Sequence, residues 1–409
     1  MRRRVVVTGM SGVSALGHDW SHIKENMQRG KTGTRYMPAW ADIEGMNTRL
    51  AAPIQPLSLE GRWPRKKMRT MGTIAQYAVY ATEKALEDAG LIEHAILQSG
   101  RTGVAYGSSF GSTEPMTEFA DLVFHRSLKK LTATSYIRMM GHTTAVNIGL
   151  FWGINGRIIP TSTACTSGSL SIGYGTENIR YSMQDVIIAG GAEELCPSMA
   201  AIFDTLYATS TCNQTPEATP RPFDKDRDGL VIGEGAATLI LEEYEHAKAR
   251  GATMYAEVVG FGTNTDGNHV TQPAAETMEV AMRLALQDAG LSPDDIGFVN
   301  GHGTATEFGD ISETIATAAV FKKGVPIHSL KSYFGHTLGA CGALEAWLCI
   351  EMMRCGWFAP TVNLKNVDTR CASLDYVMNE GRALEVEYVM SNNFAFGGIN
   401  TSVIFKRMS

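Results

Sequence analysis

A seven-residue phrase occurs twice in this 409-residue chain. Ala85-Leu86-Glu87-Asp88-Ala89-Gly90-Leu91 returns as Ala285-Leu286-Gln287-Asp288-Ala289-Gly290-Leu291. In each copy an amphipathic helix ends on a glycine stop. A short apolar strand ending in glycines follows, Thr102 to Ser108 in one copy and Ile296 to Gly303 in the other. Two further matches keep the same order. Cys165-Thr166-Ser167-Gly168 and His336-Thr337-Leu338-Gly339 each open a helix, running to about Tyr181 and Arg354. Gly233 to Glu243 parallels Gly397 to Arg407, both glycine-led turns into alternating strands. Together these predict a tandem duplication, with halves 1–250 and 251–409. Strands alternating with helices predict layered α/β halves whose sheets are covered on both faces. The duplication also predicts that Cys165 and His336 are counterparts, each starting a buried helix and facing one shared cleft.

Apolar residues make up 44% of the chain and charged residues 19%, enough for a large core. The 42 glycines are scattered singly and in pairs, which suits tight turns rather than a low-complexity tract. A net charge of −6 argues against nucleic acid as the partner. Every long apolar run is broken by a charge before it reaches membrane-spanning length. The basic start, Arg2-Arg3-Arg4, runs directly into Val5-Val6-Val7-Thr8-Gly9, a strand and turn rather than the apolar stretch of a leader. The expected location is the cytoplasm. The seven cysteines form no C-x-x-C pair, and no Cys/His cluster has metal-ligand spacing, so no metal is expected.

Among the cysteines, Cys165 differs in its surroundings. It lies in Pro160-Thr161-Ser162-Thr163-Ala164-Cys165-Thr166-Ser167-Gly168, where small residues leave room for a bulky thioester. A thiol at a helix N-terminus feels the positive end of the dipole and loses its proton more readily. Cys196, Cys212, Cys341, Cys349, Cys355 and Cys371 read as packed, reduced thiols. His302, in Val299-Asn300-Gly301-His302-Gly303-Thr304, ends an apolar strand between glycines that clear space for a substrate. His336, after Lys331-Ser332-Tyr333-Phe334-Gly335, precedes a helix whose end favours a neutral, hydrogen-bond-donating imidazole. Lys331 and Glu313 are candidates for a supporting ion pair.

These segments resemble the β-ketoacyl-acyl-carrier-protein synthases, condensing enzymes of the thiolase fold, over nearly the whole chain. The resemblance is carried by Thr163-Ala164-Cys165-Thr166-Ser167-Gly168 and by His302-Gly303-Thr304 with Thr306, Gly309, Asp310 and Glu313. It is carried further by Arg221-Pro222-Phe223-Asp224 with Arg227-Asp228-Gly229, Lys331, Gly335-His336, Leu338-Gly339-Ala340 and Asn393-Phe394-Ala395-Phe396-Gly397-Gly398. It implies a duplicated αβαβα fold and decarboxylative Claisen condensation, with Cys165 as acyl-bearing nucleophile and His302 and His336 as the decarboxylating pair. It implies that the backbone N–H groups of Cys165 and Phe396 form the oxyanion hole and that Phe396 gates the second substrate. Thr304 and Thr306 would bind the pantetheine arm, Phe110 would line the acyl pocket, Phe203 would also bind substrate, and Lys331 with Glu313 would hold the histidine region. No cofactor is implied; a structural monovalent cation near Asn300 and Glu345 is the one ion the resemblance raises. A His-His pair separates the chain from three-carbon-priming relatives, which carry Cys-His-Asn, and from degradative thiolases, which use a second cysteine. A chain-length-factor-like partner, with the fold but no nucleophile, and a degradative thiolase acting on coenzyme A esters are the remaining alternatives.

The partners implied are acyl- and malonyl-loaded acyl carrier protein, together with a second subunit in a homodimer or a related heterodimer. The carrier is acidic, and two basic clusters match segments that dock it: Arg65, Lys66 and Arg69, and Arg126 with Lys129. The dimer would form through the strand before the nucleophile. The segment Leu330-Lys331-Ser332-Tyr333-Phe334-Gly335-His336 departs from the usual Thr-Lys-Ala/Ser-Met-Thr-Gly-His. Asn393-Phe394-Ala395-Phe396 departs from the common Ser-Phe-Gly-Phe. Both lie beside the catalytic groups and point to a specialised type II system, such as one making polyene chains, rather than housekeeping fatty acid synthesis.

Overall fold

In a computed structural model, residues 2–322 and 324–408 are described. Two sets of elements follow one another in the same order. The first comprises β1 (Val5–Val13), α1 (Thr73–Asp88), β2 (Thr102–Gly107), α2 (Thr143–Trp152), β3 (Ile158–Thr161), α3 (Ser167–Arg180), β4 (Val186–Glu193) and β5 (Gly235–Glu243). The second comprises β6 (Ala256–Thr265), α4 (Ala275–Ala289), β7 (Ile296–Asn300), α5 (Glu307–Val320), β8 (Pro326–His328), α6 (Cys341–Cys355), β9 (Tyr388–Phe394) and β10 (Ile399–Arg407). The strand order is β3-β2-β4-β5-β1-β6-β10-β9-β7-β8, with the short strand Asp375–Tyr376 at the far edge. In each set the second, third and fourth strands run parallel, and the fifth lies antiparallel between the fourth and the first. The sets join where β1 and β6 pair antiparallel, Val6 with Glu257 and Val7 with Ala256.

Alternation along the strands creates five layers. On β4, Val186, Ile188 and Ala192 pack with Ile74, Val79 and Leu86 of α1 and Ile148 of α2. The intervening Ile187 and Ala189 turn to the opposite core, with Leu170 and Ile172 of α3 and Leu344 and Leu348 of α6. On β10 the same switch sends Val403 and Phe405 to that central core and Ile404 outward to Met282 of α4 and Val320 of α5. The result is α1–α2, sheet, α3–α6, sheet, α4–α5, and α3 and α6 are therefore buried along most of their length, α3 largely through small residues such as Gly168, Ser169, Ser171 and Gly173.

The repeated phrase has a packing explanation. Gly90 and Gly290 take left-handed φ values of +67° and +68°, stopping their helices. A Cβ on Gly9 would lie 2.3 Å from the Ala85 carbonyl, and one on Gly260 2.4 Å from that of Ala285. Each helix therefore lies directly on strand backbone. Both strands shift register there, and the phrase's aspartates accept the freed amides: Met10 N–H to Asp88 and Phe261 N–H to Asp288, each at 3.0 Å. The opening arginines are fixed by ion pairs, Arg2 to Asp288, Arg3 to Asp185 and Arg4 to Glu257. Among the described residues no helix is long and apolar enough to cross a membrane.

Candidate active site

The two central helices meet at a pair of glycines. A Cβ on Gly168 would sit 2.6 Å from the Ala343 nitrogen, and one on Gly342 2.6 Å from the Ser169 nitrogen. Only glycine permits this approach, which brings the N-terminal turns of α3 and α6 together. Each helix is entered through a 3-10 turn, Ala164–Thr166 and Leu338–Ala340, opened by a residue at positive φ: Ala164 at 51° and Leu338 at 45°. Non-glycine residues held there mark a backbone that its surroundings over-determine. This geometry makes Gly339 the counterpart of Cys165, and Ser162 that of His336. The expected Cys165–His336 equivalence is therefore three residues out of register, because it aligned reactive side chains rather than backbone.

Cys165 is 3% exposed, with its Sγ 3.0 Å from His336 Nε2. The Leu338 N–H donates to His336 Nδ1 at 3.2 Å, so that ring carries its proton on Nε2, toward the sulfur. Burial pushes the Cys165 thiol up, and the Phe396 N–H, the Lys331 charge and the Cys165 N–H oppose it without overcoming it. The easing of proton loss expected from the helix end is thus outweighed by desolvation in the resting site. His302 and His336 are both held well below the ordinary imidazole range, first by burial and then by the Lys331 charge. The rings lie 5.2 Å apart and nearly perpendicular, at 87°. Two neutral imidazoles thus face the thiol.

The supporting carboxylates are arranged differently from the expected Lys331–Glu313 pair. Glu313, on α5, accepts the N–H groups of His302 and Gly303 at 2.6 Å each and so fixes the loop after β7. Burial pushes it up to about 7. Lys331 pairs instead with Glu345 of α6, at 2.6 Å with both side chains buried. The Lys331 ammonium thus takes one oxygen of Glu345, a carboxylate beside which the monovalent cation was expected, while the Asn300 Oδ1 nearby is buried without a hydrogen-bond partner among the described residues. Glu345 was named only beside that ion. A lone charge within Leu344-Glu345-Ala346-Trp347-Leu348 was the available signal that a buried partner faces it. Glu193, which sequence reasoning missed, accepts the Ser109 N–H at 2.9 Å and the Gly339 N–H at 3.0 Å, joining the two halves beneath the nucleophile.

A cavity of about 510 Å³ opens onto Cys165, His302 and His336. Thr304 and Thr306 line it, their hydroxyls 2.9 Å apart. Phe203 and Phe396 line it as an edge-to-face pair with centroids at 5.8 Å, and Phe396 leads into Gly397 and Gly398, both at positive φ. Its apolar rim, Leu206, Tyr207, Val270 and Phe308, carried no motif and went unnoticed in the sequence. Phe110 is half-buried in the turn after β2 and does not line this cavity. Arg65, Lys66, Arg69, Arg126 and Lys129 are exposed and also lie outside its lining. Of the six cysteines read as packed, Cys341, Cys349 and Cys371 are buried, Cys196 and Cys212 are half-buried, and Cys355 is exposed. Cys341 donates to the Cys165 carbonyl at 3.1 Å.

One ligand atom each from Cys165, His302 and His336 lies within 4.8 Å of the others, close enough to hold a metal ion. The N–H donated to His336 Nδ1 puts a proton on Nε2, so this nitrogen offers the sulfur a donor rather than a metal a lone pair.

A buried thiol facing two neutral imidazoles, at the junction of duplicated α/β halves, defines a condensing enzyme of the thiolase-fold class. The β-ketoacyl synthase N-terminal domain matches residues 2–247 and the β-ketoacyl synthase C-terminal domain residues 255–365. The chain belongs to the β-ketoacyl synthase family. It is 38% identical over 415 residues to a Vibrio cholerae protein named 3-oxoacyl-[acyl-carrier-protein] synthase 2, covering all of both chains. A β-ketoacyl synthase crystal structure from Burkholderia phymatum matches with a TM-score of 0.98 and 58% identity over all of both chains. A type II polyketide ketosynthase, solved with its acyl-carrier protein and a bound hexaketide, matches with a TM-score of 0.88 and 29% identity, again over all of both chains.

Proposed function

We propose that this protein is a β-ketoacyl-acyl-carrier-protein synthase that elongates an acyl chain by decarboxylative Claisen condensation. The observation that carries the reading is the trio itself: Cys165 Sγ 3.0 Å from His336 Nε2, with His302 at right angles beyond it, on one cavity. The half to residue 250 supplies the nucleophile and the half from 251 the two histidines. The reaction is ping-pong. Cys165 takes the acyl group from a carrier thioester and releases the carrier thiol. Malonyl-carrier protein then enters, its pantetheine arm passing Thr304 and Thr306. Breaking the bond to the carboxylate sends its electron pair to the α-carbon and frees carbon dioxide. The enolate oxygen accepts from the two imidazole N–H groups, which act where negative charge develops. The α-carbon attacks the Cys165 thioester, whose carbonyl oxygen is received by the Cys165 and Phe396 N–H groups. The carbon–sulfur bond breaks, and the departing thiolate takes a proton from solvent, regenerating the thiol.

The present nucleophile favours this reading over a chain-length-factor-like partner. The aromatic Phe396 loop in place of a second catalytic cysteine favours it over a degradative thiolase. The exposed basic side chains fit an acidic carrier protein, and β3, at the sheet edge with Ile158 exposed, fits a partner subunit, identical or related. The free thiols fit the cytoplasm. Asn393, Ala395 and Tyr333 fit a specialised type II pathway such as polyene synthesis. Mass spectrometry of the protein incubated with acyl- and malonyl-carrier protein tests the reaction. Acylated Cys165, elongated product and carbon dioxide are expected; Cys165→Ala should release carbon dioxide without elongating. Elongation by Cys165→Ala would overturn the reading.

A further inference from the structure

We infer that Asn393 is a positioning residue that holds the His302 proton on Nε2; this rests on the decarboxylating role proposed above. Four buried side chains stand in line. Lys331 Nζ lies 2.6 Å from Glu345 Oε1, Glu345 Oε2 accepts from Asn393 Nδ2 at 2.7 Å, and that same Nδ2 lies 3.5 Å from His302 Nδ1. The ammonium keeps Glu345 a carboxylate, and a carboxylate accepts from the NH2 side of an amide, never from its oxygen. The amide orientation is therefore set chemically, and its Nδ2 is the atom facing the imidazole. One hydrogen goes to Glu345. The other is directed toward His302 Nδ1 and the Cys341 sulfur, 3.7 Å away.

A donor opposite Nδ1 opposes a second N–H there and favours the lone pair. The proton then resides on Nε2, the ring nitrogen remote from Asn393. The contact is long, but His302 is buried, and a misdirected dipole costs more there than in water. His336 shows the same arrangement with a backbone donor, the Leu338 N–H on its Nδ1. The enolate thus meets two N–H groups rather than an N–H and a lone pair. Serine, the usual residue of this loop, is too short to span from Glu345 to the ring in the same way, so the departure at 393 has a chemical content. Lys331 and Glu345 reach His302 through this amide.

Nitrogen-15 NMR of the imidazoles, with His302 assigned by the signals lost in His302→Ala, reads the tautomer directly. The expected result is Nε2–H in the wild-type protein and a mixed or Nδ1–H state in Asn393→Leu, which keeps the shape and removes the donor. Malonyl-carrier decarboxylation should fall about a hundredfold in Asn393→Leu, the scale of one misaligned oxyanion donor. Acylation of Cys165, which proceeds beside His336, should persist and shows that the variant is folded. Asn393→Ser, a shorter donor, should recover part of the decarboxylation. A wild-type protein that releases carbon dioxide while His302 carries Nδ1–H overturns the inference. So does full decarboxylation by Asn393→Leu. A wild-type protein that releases none overturns the decarboxylating role itself.

Discussion

Replacing Lys331 by Met tests the electrostatic support of the site. The Lys331 and Glu345 side chains are 2% and 3% exposed and 2.6 Å apart. Removing one partner of such a pair leaves a desolvated charge and costs about 3–5 kcal/mol. Glu345 keeps only amide donors, at 2.7 Å from Asn393 and 3.4 Å from Asn300, and burial already pushes it upward, so in Lys331→Met it takes up a proton. The double variant Lys331→Met/Glu345→Leu removes both charges and should recover most of the stability, since apolar replacement of a buried pair is often neutral. Activity should not recover, because the Glu345 carboxylate that orients the Asn393 amide is gone, together with the charge that adds to burial in holding His302 and His336 neutral. Equilibrium urea denaturation supplies the free energies, and malonyl-carrier decarboxylation the activity. A double-mutant cycle should show strong coupling of Lys331 to Glu345 and weak coupling to Glu313, whose oxygens are taken by backbone amides. Unchanged stability in Lys331→Met, or dominant coupling to Glu313, would refute this account.

Burial depresses His328 to about 4, while its unfolded value is near 6.5. Its stabilising contribution is thus present above pH 6.5 and lost as pH falls toward 4, up to about 3 kcal/mol. His328→Leu should flatten the loss of stability between pH 7 and 5, measured by urea midpoints at each pH. Glu313, raised to about 7, has the opposite sign: its contribution is full below 4.5 and fades as pH rises to 7, so Glu313→Gln should steepen the acid limb. Charge reversal at Arg65, Lys66 and Arg69 should raise KM for carrier-protein substrates and leave small pantetheine thioesters unaffected; equal effects on both would make the cluster structural.

Much of the scaffold was legible because duplication doubles every signal. The repeated Ala-Leu-x-Asp-Ala-Gly-Leu phrase encodes a helix stop, a close contact with strand glycine and an acceptor for a bulge amide, and each half needs all three. The reactive residues were legible from their small neighbours, which leave space rather than fill it. The pairing of charges was not. Glu313 and Glu345 both sit on helices within reach of the histidine region, and sequence spacing contains no term for backbone amides. Those of His302 and Gly303 claim Glu313 and leave Lys331 to Glu345. The rim of Leu206, Tyr207, Val270 and Phe308 escaped notice for a related reason: it is assembled from three separate segments, and only Phe308 sits on a periodic helix, where it is exposed rather than on the core face.

A duplicated fold offers two equivalent sites, and this one keeps a single site by filling the other with backbone. Gly339 stands where the second half would need its own cysteine, and a Cβ there would lie 2.4 Å from the Ser109 nitrogen. Carrying the strand registers across the two halves places Gly107 opposite His302 and Gly191 opposite Asn393. A Cβ on Gly107 would meet the Thr161 carbonyl at 2.4 Å, and one on Gly191 the Gly339 carbonyl at 2.3 Å. In the first half, then, the ends of two adjacent strands are sealed against β3 and the α6 turn. In the second half the same two positions carry an imidazole and the amide beside it. The asymmetry has a chemical reason. Condensation needs one acyl carrier and two donors on the same carbonyl, a set that no twofold arrangement of identical residues supplies. One half therefore gives the sulfur and closes its own strand ends, while the other gives the donors and leaves its strand ends open to the cavity.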